Sequence, residues 1–227
     1  MDSTFSLVNP KSHSLVFKKP KRMKSSLRNF IVTATTAALA MGSAFAQQAK
    51  VLTNKPEFDD ILSPQFSGGK QETFKPKEWL KVETKLKLAM SPAPRSATAD
   101  TLTVKWFVAI KNPDKAGEFL LLTRDVQHVN VPLDEDFYAS IYLSPASVRR
   151  ITGSNRGAKG AVEYIGYEVL FNGTKIGEDA HGAKAGWWNV ASPKISRSDT
   201  VPLLTKPETP FAAMWWDRYA EVATERR

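Results

Sequence analysis

The sequence predicts a mostly β protein, an antiparallel β-sandwich with a short helix near 145–152 and a C-terminal helix at 209–225. Three observations carry that expectation. Asn172-Gly173 lies between the apolar runs of Ala161–Ala180, and Asn then Gly meets the positive φ that both central positions of a type I′ hairpin turn require. Upstream, Leu80, Val82, Leu86 and Leu88 alternate with Lys81, Glu83, Lys85 and Lys87, the period-two pattern of a sheet with one wet face. Several such strands recur, each closed by turn residues, as sandwiches require.

Composition becomes informative once the leader is set aside. A basic flank from Lys18 to Arg28 precedes a 13-residue apolar run, Phe30–Gly42, which ends in Ala44-Phe45-Ala46 before Gln47. This is the layout of a cleavable secretory signal peptide, and the run is shorter than the about 20 residues of a spanning helix. Residues 1–46 therefore read as an N-terminal extension plus signal peptide, with Met1 or Met23 as the start. The mature chain, 47–227, reads as a single domain without a transmembrane span. The leader holds seven of the 32 Lys/Arg and one of the 23 acidic residues, so the mature chain carries 25 basic and 22 acidic side chains. The apparent basicity is mostly discarded, which argues against a nucleic-acid partner. The chain has no cysteine, so disulfides and thiol catalysis are excluded and packing alone must hold the fold.

In chain order, 47–78 is expected to be an irregular N-terminal arm punctuated by Pro56, Pro64, Gly68-Gly69 and Pro76. Asn54 could cap a short helix through Leu62, or the arm could lie along a sheet edge. Trp79–Met90 and Leu102–Ile110 are strands, the second with Trp106 as an inter-sheet core residue. Glu118–Val131 gives one long or two short strands, and Asp134-Glu135-Asp136 is a polar connection. After the strand Phe137–Leu143, Pro145 stands where the first helical residue belongs, Arg149 and Arg150 lie near the end, and Gly153 can close the helix. Beyond the hairpin, Phe211, Met214, Trp215, Tyr219 and Val222 recur at helical spacing. The architecture is Ig-like, without the paired cysteines of an antibody domain.

No stretch carries a catalytic or cofactor motif. His128 and His181 are the mature histidines; with Asp179 and a serine they could form a triad, but no nucleophile-elbow spacing supports one. Asp134, Glu135 and Asp136 could offer oxygen ligands to calcium, but three consecutive carboxylates cannot converge from a strand, and a solvated turn is expected. The tryptophans form two adjacent pairs. In a strand, Trp187 and Trp188 would point to opposite faces; on a helix, Trp215 and Trp216 would diverge by about 100°. One of each pair could thus lie at the surface for a protein contact or a sugar ring, or both pairs could pack the helix onto the sheet. Trp187, Trp188, Trp215, Trp216 and Tyr219 form the expected interaction surface, on one shared side of the sandwich. No cofactor and no metal are expected.

Several blocks carry a resemblance. Phe74-Lys75-Pro76-Lys77-Glu78-Trp79-Leu80-Lys81-Val82-Glu83, Leu102–Ile110, His128-Val129-Asn130-Val131, Tyr142-Leu143-Ser144-Pro145 and Glu208–Tyr219 together resemble the exported Ig-like proteins that verrucomicrobial bacteria of the Akkermansia type encode beside type IV pilus-like assembly genes. The resemblance implies a β-sandwich envelope protein tied to pilus biogenesis or the cell surface, and it brings no catalytic residues. The expected protein is secreted and non-enzymatic, located in the periplasm, at the outer membrane or on the cell surface. Its expected partners are pilus-related or other envelope proteins, or further copies of itself. No acidic fifth residue and long apolar helix follow Gly42, so an accessory role fits better than that of a major pilin. The alternatives are a carbohydrate-binding module using the exposed tryptophans, and an envelope hydrolase.

Overall fold

The computed structural model describes residues 47–65 and 75–224, apart from the side chain of Trp216. The expected leader and its cleavage site, the Gly68-Gly69 stretch and the last three residues lie outside the described residues.

Two sheets face each other. The strands, in chain order, are β1 (Gln48–Thr53), β2 (Glu57–Leu62), β3 (Glu78–Ser91), β4 (Thr98–Lys111), β5 (Phe119–Pro132) and β6 (Asp136–Leu143), followed by the helix α1 (Pro145–Thr152). They continue with β7 (Val162–Phe171), β8 (Thr174–His181), β9 (Ile195–Arg197), β10 (Leu204–Thr205) and β11 (Glu221–Val222). The first sheet runs β1-β3-β6-β10, with β2 also on β3; the second runs β11-β5-β4-β7-β8, with β9 parallel to β5. The alternation read from sequence supplies the core. Leu80, Val82, Leu86 and Leu88 face Leu102, Val104, Trp106, Val108 and Ile110, all buried. Trp106 lies between the sheets, as expected, 5.4 Å from the Tyr167 ring centre.

The local signals act where they were read. Ser144 caps α1 by accepting from the Ser147 N–H at 3.2 Å, and Gly153, at φ 71°, donates to the Arg149 carbonyl. Asn172 and Gly173 adopt φ 49° and 77° between the paired residues Phe171 and Thr174, so β7–β8 is the predicted hairpin.

Two expectations are corrected. The arm is not irregular and Asn54 caps no helix: β1 and β2 both pair antiparallel with β3, at Leu86–Ser91 and Glu78–Glu83 respectively. They form one edge strand in which Asn54, Lys55 and Pro56 stand opposite only Thr84 and Lys85, a bulge that lets Pro56 enter an edge strand. The reading as an ordered arm along a sheet edge holds.

The C-terminal helix predicted at 209–225 is absent among the described residues. Thr209–Trp215 makes successive turns closed by i→i−3 bonds, Ala212 N–H to the Thr209 carbonyl and Met214 N–H to the Phe211 carbonyl. Trp215 takes φ 50°, Trp216–Arg218 is one 3-10 turn, and β11 then joins β5 opposite Val129 and His128. A short helix is marginal by itself. Here sheet pairing at one end and burial of Phe211 at the other outweigh the helical spacing.

Candidate interaction surfaces

The segment from Thr205 to Ala220 is a strap across the outer face of the first sheet. It begins with a capping box: Glu208 accepts from the Thr205 N–H at 2.7 Å, and the same carboxylate receives Arg124 of β5 at 3.0 Å. Phe211 plugs the strap into the sheet, stacked on Tyr142 (5.3 Å, 11°) and edge-on to Trp79 (5.6 Å, 86°). At the far end the Tyr219 hydroxyl donates to Glu83 Oε2. Arg218 lies 3.7 Å from the Tyr138 ring centre and Lys206 lies 4.8 Å from that of Tyr219, both cation–π contacts. Burial pushes the Tyr219 hydroxyl up, and its bond to Glu83 adds to this; burial lowers the Lys206 amine, which donates to the Ala212 carbonyl at 2.9 Å. On the expected wet face of β3, Lys81 and Glu83 are partly covered and joined at 2.8 Å.

Trp215 stands at the strap's apex, 50% exposed, inside the uncharged run Pro210-Phe211-Ala212-Ala213-Met214-Trp215-Trp216. A bulky side chain at positive φ is uncommon and costs conformational energy. Trp216 opens the following 3-10 turn.

Trp187 and Trp188 do not lie in a strand. Gly186, at φ 85°, starts a 3-10 turn over Trp187–Asn189, so both rings fall on the outer face of the second sheet instead of opposite faces. Trp188 stacks on Phe107 (4.8 Å, 6°) and donates its Nε1–H to Glu168 at 3.0 Å. Gly166 makes room for that ring, because a Cβ there would collide with it. Trp187 packs on Tyr164 at 5.5 Å and edge-on to Trp188 at 5.7 Å. One face of Trp188 is therefore occupied within the molecule. The expected interaction surface is also divided: Trp187 and Trp188 sit on the second sheet, Trp215 and Tyr219 on the outside of the first.

His128 is buried on β5. Its Nδ1–H donates to the Ala220 carbonyl at 3.3 Å, and desolvation holds its pKa down to about 4 despite that bond. It braces β11 and is closed to substrate. Asp134, Glu135 and Asp136 form the exposed turn expected of them, with Asp136 meeting Lys85 at 3.1 Å.

Sequence reasoning missed one feature, the groove at the bulge of the edge strand. Asn54 fixes this bulge: its side-chain amide donates to the Lys85 carbonyl at 3.0 Å, and its own carbonyl accepts from Thr84 and Tyr167 hydroxyls, each at 2.7 Å. Beside it opens a groove of about 720 Å³ lined by Lys55, Phe58 and His181 among others, and an adjoining one of about 260 Å³ shares Lys55, Glu57 and Glu83. Asn54-Lys55-Pro56 between two short alternating runs was the available signal. Reading Asn54 as a helix cap concealed it.

The geometry defines an Ig-like β-sandwich protein with an aromatic strap on one sheet and an aromatic turn on the other. A protein-family model matches residues 42–226. A crystal structure of a protein from Akkermansia muciniphila is similar with a TM-score of 0.74 and 37% sequence identity, over 80% of this chain and 96% of that one. No curated protein matches the chain. The chain belongs to this Akkermansia-type family.

Proposed function

We propose that the protein is an exported, non-enzymatic envelope protein, an accessory or structural component of a type IV pilus-like assembly that works through protein–protein contacts. The observation that carries this reading is Trp215, half exposed on left-handed backbone at the apex of a strap whose two ends are anchored to both sheets. A rigid scaffold that spends backbone strain to hold a large aromatic outward suits an anchor for another protein, since aromatic residues dominate interface energetics. The pilus context comes from the resemblance of the Phe74–Glu83 and Glu208–Tyr219 blocks to proteins encoded beside such genes. The leader's layout supports export.

Among the described residues no helix is long and apolar enough to cross a membrane. Envelope fractionation with co-purification tests the assembly reading. Recovery of pilus-system components with the tagged protein is expected. A soluble monomer that never associates with them would refute the proposal.

A further inference from the structure

The groove at the edge-strand bulge is chemically uneven. Glu83 is held by Lys81 at 2.8 Å and Asp59 by Lys159 at 2.9 Å. Among the described residues, the side chains of Lys55 and Glu57 make no ion pair or hydrogen bond, and the His181 ring stands edge-on to Phe58 at 5.0 Å. Lys55 is thus an ammonium free to bind, aimed from a bulge that three hydrogen bonds and the buried Pro56 keep in shape. His181 lies across the same groove and senses that charge: burial lowers its pKa first, and the Lys55 charge lowers it further. The Lys55 charge therefore disfavours a second cation beside His181. Glu57, two residues along the strand, accepts hydrogen bonds only. The groove's size is in the usual range for ligand sites, roughly 300–1,000 Å³.

From this geometry we infer that the groove binds an acidic peptide segment, with an Asp or Glu carboxylate between Lys55 and His181 and a neighbouring hydroxyl or ammonium group of the peptide on Glu57. Charge complementarity selects this class. The leftover lysine calls for one carboxylate, and the leftover glutamate beside it calls for a neighbouring donor on the same peptide. Phosphate is a poorer match, because the unpaired Glu57 would repel its second charge. This inference deepens the assembly reading and rests on it for the peptide's origin in a partner protein.

The test uses the purified protein and a capped octapeptide alternating Asp and Ser, followed by isothermal titration and by the NMR titration of His181. The charged groups lining the groove with that imidazole are Lys55, Glu57 and Asp59 on the edge strand, Lys81 and Glu83 on β3, and Lys159 beyond α1, while Asp179 lies two residues away on its own strand. Binding is expected to raise the His181 pKa. Lys55→Glu should weaken binding about tenfold or more, as loss of a hydrogen bond to a charged group does, and the distant Lys194→Glu should leave it unchanged. No binding, equal binding of the matching Lys–Ser peptide, preference for inorganic phosphate or an oligogalacturonate, or full binding by Lys55→Glu would each overturn the inference. Because the assay contains only the protein and synthetic probes, its failure counts against the groove alone. A failed co-purification counts against the assembly reading alone.

Discussion

The Tyr167 hydroxyl, rooted in the second sheet, donates at 2.7 Å to the carbonyl of Asn54 in the edge strand of the first. The bond spans the sandwich and ties the bulge to the core. Thr84 shares the acceptor, so Tyr167→Phe should cost about 1 kcal/mol in urea unfolding rather than the larger penalty of an orphaned carbonyl. Burial pushes the Tyr167 phenol up to about 12 from 10. The unfolded chain therefore ionises first, and the stability this group contributes is lost as pH rises from 10 towards 12. Tyr167→Phe should reduce that alkaline slope; an unchanged slope would count against the burial-driven shift of this phenol.

His128 gives the opposite pH signature. Its folded pKa of about 4 lies below the ordinary 6.5, so between these values the unfolded state binds the extra proton. Stability is full above pH 6.5 and falls as the pH drops towards 4, by about 3 kcal/mol from this group. Denaturation midpoints measured from pH 7 to pH 4 should fall along this course, and His128→Leu should flatten it even if the variant is less stable throughout.

Gly166 exists for Trp188. Gly166→Ala would drive a methyl group into the indole, costing roughly 1–3 kcal/mol as overpacking does and displacing the ring from Phe107. Thermal unfolding reads the cost, and near-UV circular dichroism reads the lost stack.

Phe211 is the strap's main anchor. Phe211→Ala should destabilise by roughly 3–5 kcal/mol. It should also speed amide exchange across Thr209–Ala220 well before the part of β4 from Thr103 to Ile110, which is paired on both sides. Uniform exchange across the molecule would show that the strap and the sheets are one unit.

The legible parts of the fold were those fixed by neighbours in sequence. Asn172-Gly173, the Ser144–Gly153 caps and the alternation through Leu80 and Trp106 each act over a few residues and need no knowledge of what lies opposite. The misread parts were decided across the sandwich. Phe211, Met214, Trp215 and Tyr219 have helical spacing, yet Tyr142, Tyr138 and β5 offer partners that a helix could not reach together. Asn54 has the chemistry of a cap, but the Tyr167 and Thr84 hydroxyls claim its carbonyl for a bulge. The tryptophans were visible as candidates; their separation onto two faces depended on Gly186 and Gly166, one opening a turn and the other leaving space.

Fold and contact make opposite demands on Trp215. Trp215→Asn suits the φ of 50° and should raise stability by about 1 kcal/mol by relieving strain. Co-purification of pilus-system components with the tagged variant is therefore the decisive measurement. The expected result is a protein at least as stable as the wild type that has lost those components. Undiminished recovery by this variant would contradict it.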